Sequence, residues 1–140
     1  MEKMLQLAYN EGIIVEEFYL KPPLMGIYIC QEGRPPLIGL STSIESIAEK
    51  RSIMAEELGH HFTSVGNCLP HQFYHYSARL SISKAEYKAL RWAANYLISD
   101  NNLLDAFHDC IDTPIELAEY FMVTPEIINL RLKLFEKPVY

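Results

Sequence analysis

Met54-Ala55-Glu56-Glu57-Leu58-Gly59-His60-His61-Phe62 is the stretch on which the fold turns. Wound on a helix at about 100° per residue, Met54, Ala55, Leu58 and Phe62 join Ile44, Ile47 and Ala48 within a roughly 120° arc. That is the core stripe expected of an amphipathic helix. Glu56 and His60 are i and i+4, so they lie one above the other on a different face. Glu57 projects between that pair and the stripe. Gly59 falls in mid-helix, where glycine costs about 1 kcal/mol against alanine. Close approach of another backbone is one reason for such a glycine. The spacing predicts a helix from about Ile44 to Thr63, stopped near Gly66-Asn67.

Toward the N-terminus the pattern changes. Glu2 to Asn10 reads as a short helix closed by Gly12. Ile13 to Phe18, Met25 to Cys30 and Leu37 to Leu40 are β-rich runs, separated by Lys21-Pro22-Pro23 and Gly33-Arg34-Pro35-Pro36. Turn residues at this spacing predict a small, antiparallel sheet. Toward the C-terminus, Cys68 to Arg79 reads as a loop. Ser83-Lys84-Ala85-Glu86 is an S-x-x-E capping box that opens a helix running to about Ser99. Another helix is expected over Asn102 to Cys110. Thr113-Pro114-Ile115-Glu116 and Thr124-Pro125-Glu126 each open a further one, with proline just inside the start. The expected architecture is α+β in one domain over 1–140: helix plus small sheet over 1–42, then a helical body over 43–140.

Length and composition fit that plan. The 140 residues are 49% hydrophobic and 21% charged, a balance that makes neither a disordered nor a fibrous chain. The net charge of −6 argues against sequence-independent nucleic-acid binding, which needs clustered cations. No run approaches the roughly 18 apolar residues of a membrane span, and Met1-Glu2-Lys3-Met4 opens no signal peptide. Cys30, Cys68 and Cys110 are odd in number and widely spaced, so no disulfide framework or cysteine zinc cluster is expected. A cytoplasmic protein is the default.

The chemistry lies in the opening stretch. Zincin metallopeptidases carry H-E-x-x-H on a helix: ligands at i and i+4 clamp one zinc, and the glutamate after the first is the general base. Here Glu56 replaces the first histidine. A carboxylate is a legitimate zinc ligand, so the spacing still serves. The alternative is an ordinary surface helix with a solvated charged face. Glu86 shares an arc with Ala89, Leu90, Ala93 and Leu97, extended by Trp92 and Tyr96, which aligns a carboxylate with a buried-facing stripe. It either completes the capping box or serves as a third ligand. Glu56, His60 and Glu86 plus an open water position would make a catalytic zinc pattern. His61, at the edge of the apolar stripe, reads as a hydrogen-bonded core histidine.

These residues together resemble a known family. Met54 to His60, followed by His61-Phe62-Thr63-Ser64-Val65-Gly66, is similar to the active-site helix of the ImmA/IrrE metallopeptidases of bacteria, phages and mobile elements. Glu86-Tyr-Lys-Ala-Leu-Arg-Trp92-Ala93-Ala-Asn-Tyr-Leu97-Ile98 resembles the family helix that supplies a glutamate zinc ligand. Glu116 to Leu132 resembles its closing helical pair. The resemblance implies a zincin-like active-site helix with zinc on His60 and Glu86 and Glu57 as catalytic base. The family's first histidine falls on Glu56. Either Glu56 ligates zinc, or the site has lost its metal and a binding protein remains on a peptidase scaffold. Ser99-Asp100 also departs from the family, where proline is frequent. The resemblance implies a helix-turn-helix repressor of the Xre type as protein substrate.

Rival readings attach to other residues. His71, His75 and Tyr76 are oxyanion donors by type, set against a plain surface loop; His71 and His75 are also four apart, but no helix follows Pro70. Leu117 to Leu132 reads like a DNA-binding helix-turn-helix. Its second helix offers only Arg131 and Lys133, with Lys137 beyond, against Glu126 and Glu136. Recognition helices need donors for phosphates and base edges, so a structural helical pair, with no direct nucleic-acid contact, is the expectation.

Overall fold

The computed structural model describes residues 1–64, 71–76 and 81–136. Helix α1 (Glu2–Asn10) leads into strands β1 (Ile14–Phe18), β2 (Leu24–Cys30) and β3 (Leu37–Ser41). Helix α2 (Ile47–Ser64) follows, then strand β4 (His71–Tyr76) and helices α3 (Lys84–Leu97), α4 (Asp100–His108), α5 (Pro114–Phe121) and α6 (Pro125–Glu136). The fold is α+β, as the sequence implies. The expected stop at Gly66-Asn67, the side chain of His71, and Lys137 lie outside the described residues.

The local signals act as their chemistry requires. Gly12 adopts φ +71° just past α1, a left-handed conformation that costs glycine nothing. The hydroxyls of Ser83, Ser99 and Thr113 accept from the backbone N–H of Glu86, Asn102 and Glu116 at 3.2, 3.1 and 3.3 Å, capping α3, α4 and α5. Ser99 thereby starts α4 two residues earlier than the apolar pattern suggests.

The sheet differs from expectation in two ways. Its order is β1-β3-β2-β4, and β1 runs parallel to β3. The β2–β3 and β2–β4 pairs are antiparallel, so the sheet is mixed. The chain skips one position after β1, lays down β2, and returns through a hairpin to place β3 between them. Sequence neighbours are not space neighbours at β1. The second difference is β4. Residues His71–Tyr76, expected as loop, form an edge strand paired with β2 from Leu24 to Cys30, with an irregularity between Leu24 and Gly26.

Helix α2 is the central element. It packs on β2 and β3 on one side and on α3 on the other. Every residue from Ser52 to His61 is buried. A helix covered on both sides has no solvated face in its middle, so the charged-surface alternative for Glu56, Glu57 and His60 fails. The stripe is correspondingly broader than the predicted arc. Met54, Ala55 and Leu58 are fully buried, Ile53 joins them, and Phe62 packs at the margin, but Ile47 at the first turn is 62% exposed. Ile47 precedes the covered part of the helix.

Gly59 answers to the α2–α3 contact. A Cβ built there would stand 2.3 Å from the carbonyl oxygen of Ala89, well inside van der Waals contact. The two helices approach this closely because Ala89, Ala93 and Ala94 line the α3 side. Phe62, Trp92 and Tyr96 then stack in a row, with centroids 4.9 Å apart at each step.

The closing pair α5–α6 is fastened to this body. Ser52 Oγ accepts from Thr124 N–H at 3.0 Å, and Arg51 Nε donates to the Met122 carbonyl at 3.1 Å. Arg131 is 3% exposed. Its Nε donates to the Ile98 carbonyl at 2.7 Å, and its guanidinium also pairs with Asp100. The departure at Ser99-Asp100 thus has a structural use: Ser99 caps α4 and Asp100 holds Arg131. The arginine that a DNA-reading helix would need is spent inside the protein.

Candidate functional site

Three stripes of α2 face three surroundings. Ile53, Glu57 and His61, spaced by four, lie along the sheet. Gly26 and Tyr28 of β2 lie two apart, hence on one face of that strand. A Cβ at Gly26 would meet Ile53 Cγ2 at 2.7 Å and Glu57 Oε1 at 3.3 Å. Glycine at this point leaves room for the Glu57 carboxylate against the strand, the use expected of glycine inside a strand when something must approach. Glu57 is 0% exposed.

One turn further, Tyr28 and His61 meet. The Tyr28 hydroxyl lies 2.8 Å from His61 Nδ1, and His61 Nε2 lies 3.2 Å from Glu11 Oε1. Burial, reinforced by a hydrogen bond with Cys30, pushes the Tyr28 phenol far above its ordinary range. The Glu11 carboxylate only accepts, so Nε2 carries a ring proton and donates to it, and Nδ1 is left to the Tyr28 hydroxyl. His61 is a core histidine with both nitrogens used in hydrogen bonds.

The second stripe holds Glu56 and His60, 1% and 3% exposed. Glu56 meets a residue that the sequence placed in a loop: His75 Nδ1 lies 2.6 Å from Glu56 Oε2. A carboxylate only accepts, so Nδ1 carries the hydrogen. His75 reaches Glu56 because β4 pairs with β2 so that His75 stands opposite Gly26, the residue under Glu57. A cavity of about 350 Å³ opens beside this pair. Ser52, Glu56, His75, Leu90, Val123 and Thr124 are among the side chains that line it, so the turn between α5 and α6 supplies part of its wall.

The third stripe is Gly59 against α3. That contact sets the height of α3 along α2, and Glu86 lies one turn before Ala89. Glu86 is half-buried, with Oε2 sealed from solvent, and its backbone N–H is the one that Ser83 caps.

The donor types present, two carboxylates and an imidazole, suit a borderline divalent ion such as zinc. Their arrangement does not close: among the described residues, no group of three or more His, Cys, Asp or Glu side chains is placed to hold a metal ion. Glu56, Glu57 and His60 are gathered on the buried middle of α2, and Glu86 stands on the helix that touches it. His75 is the site residue whose placement the sequence reading missed. The signal was present, since His71-Gln-Phe-Tyr-His-Tyr76 is rich in aromatic residues of high β-propensity.

A Glu-Glu-Leu-Gly-His helix buried against a small sheet, with a carboxylate-bearing helix packed on it, fits a metallopeptidase-type fold. A family model for the IrrE N-terminal-like domain, a peptidase domain, matches residues 17–133, and the chain belongs to this ImmA/IrrE family. The match spans β1 partway through to α6 and so covers every residue of the site. No curated protein matches the chain significantly. Among the described residues no helix is long and apolar enough to cross a membrane.

Proposed function

We propose that the chain is a zinc-dependent endopeptidase of the cytoplasm that cuts a helix-turn-helix repressor, of the Xre type, in the gene regulation of a phage or mobile element. The observation that carries the reading is the burial of Glu56, Glu57 and His60 at 1, 0 and 3% exposure in the middle of α2. Buried ionisable groups are costly unless a counter-charge or a reaction requires them. In this reading Glu56, His60 and Glu86 hold zinc, whose role when bound is to polarise the peptide carbonyl and acidify water. Glu57 is the general base: its carboxylate, kept on the sheet by the space at Gly26, takes a proton from the attacking water and passes it to the leaving amine. The cavity beside Glu56 is where the substrate chain enters.

A second reading has its own observation. Glu56 is engaged by His75, and no three-donor group is closed among the described residues. A peptidase scaffold without catalysis, which binds a repressor or other regulatory partner, fits that state. Co-incubation with a repressor encoded in the neighbouring gene separates the two. The endopeptidase reading expects fragments that vanish with Glu57→Gln and with a chelator. A stable complex with intact repressor, unaffected by either treatment, would favour the scaffold.

A further inference from the structure

We propose that the hollow between α2 and the α5–α6 turn is a docking subsite for the partner polypeptide, and that it takes one bulky apolar side chain flanked by Lys or Arg. The inference rests on the substrate path given above, and it requires neither metal nor cleavage. The hollow has a volume of about 430 Å³, within the range of small ligand pockets. Ile115 and Met122 line it, and they are 75% and 45% exposed. Ala48, Val123 and Pro125 line both this hollow and the cavity beside Glu56. The two are therefore neighbouring parts of one surface, and a chain that occupies the cavity can continue into the hollow. Met122 adds a second observation. It ends α5 in the left-handed region, at φ 55°, where glycine or asparagine is usual and a bulky side chain is strained. Its exposure means that the core does not require that side chain. A flexible thioether chain suits a surface that moulds itself to apolar guests.

Charge selects the partner. Glu49, Glu56 and Glu126 line the cavity and Glu119 lines the hollow, and among the described residues no Lys or Arg lines either. Arg51 reaches the same turn but is bound at the Met122 carbonyl. An apolar floor with acidic walls matches a segment in which an apolar residue sits between cations. A DNA-binding partner supplies such cations, because it must meet phosphates. A second copy of this chain matches less well, since its net charge is −6.

The test is a selection of short random peptides displayed on phage against the intact protein with chelator present, followed by fluorescence anisotropy on synthetic copies of the selected peptides. Enriched peptides should share a Leu, Ile, Phe or Met beside Lys or Arg. Ile115→Glu should weaken their binding about 10-fold or more, as expected for one apolar side chain no longer buried. Glu119→Lys should weaken it about 2–5-fold. Ile115 lies on the surface, so its variant should melt with the unchanged protein. Replacing the apolar residue of the peptide by serine should give the same loss with the protein untouched. Enrichment of acidic or wholly polar peptides, no enrichment at all, or equal binding to Ile115→Glu would overturn the inference. So would a dimer in peptide-free protein that Ile115→Glu dissolves, which would assign the hollow to a second copy. The peptidase reading fails separately. Peptides held at this hollow with the repressor left uncut would sink that reading alone, and repressor cleavage undiminished by Ile115→Glu would sink the inference alone.

Discussion

His61 with Glu11 and His75 with Glu56 are the same chemical pair, built in opposite senses on two flanks of one helix. In the first, the imidazole is inside and the carboxylate reaches the surface: the side chains are 9% and 38% exposed. In the second, the carboxylate is the buried member at 2%, and the imidazole at 14% borders a cavity. A histidine can enter a core with both nitrogens hydrogen-bonded, as His61 does between Tyr28 and Glu11. A carboxylate cannot enter without an expensive charge or a proton. The first pair is explained by packing. The second calls for a use, and it is the one that adjoins Glu57 and His60.

The most severe way to probe this contrast is Glu57→Gln. General base catalysis contributes about 10²–10⁴-fold, so repressor cleavage should fall by at least that much, while the thermal melt stays near that of the unchanged protein. An undiminished cleavage rate would remove Glu57 from the mechanism. Gly59→Ala comes next. Its Cβ would collide with the Ala89 backbone, which cannot rotate away, so overpacking of about 3 kcal/mol should outweigh the roughly 1 kcal/mol gained in helix propensity. Denaturant unfolding measures the balance, and a stabilised variant would show that α2 and α3 are not in such close contact.

The His61 side of the comparison predicts smaller effects, confined to stability. Tyr28→Phe removes the hydroxyl and its hydrogen bonds, each worth about 1 kcal/mol, and should leave zinc affinity unaltered. A large change in zinc affinity would mean that the two pairs are not separate. The pH dependence follows from the raised Tyr28 phenol. A raised folded value means stability is fully present below the unfolded phenol value of about 10 and declines as pH rises beyond it, because the unfolded chain then ionises first. Thermal melts should show a steeper loss above that pH in the unchanged protein than in Tyr28→Phe; parallel curves would contradict it.

Much of this was legible in the chain. The caps at Ser83 and Thr113, the turn at Gly12 and the close approach at Gly59 follow from local chemistry, which short stretches carry in full. Glu56, Glu57, His60 and Glu86 were readable as a set because helical spacing converts sequence distance into direction. What spacing cannot supply is which faces become covered. Ile47 falls within the apolar arc and yet is 62% exposed, while Glu57 falls outside it and is fully buried, because the sheet and α3 cover α2 only along its middle. The partner of Glu56 was hidden for the same reason. His75 meets it through the long-range pairing of β4 with β2, and β1 beside β3 is another pairing that no local signal encodes. The antiparallel expectation failed there, where β3 comes between β1 and β2.

The central claim is that the acidic helix site holds a metal despite the glutamate at position 56. Metal analysis of protein purified without chelator and supplied with zinc tests it most directly. About one zinc per chain is predicted, falling when Glu56 or Glu86 is changed to alanine; a content near zero in the unchanged protein would contradict the account.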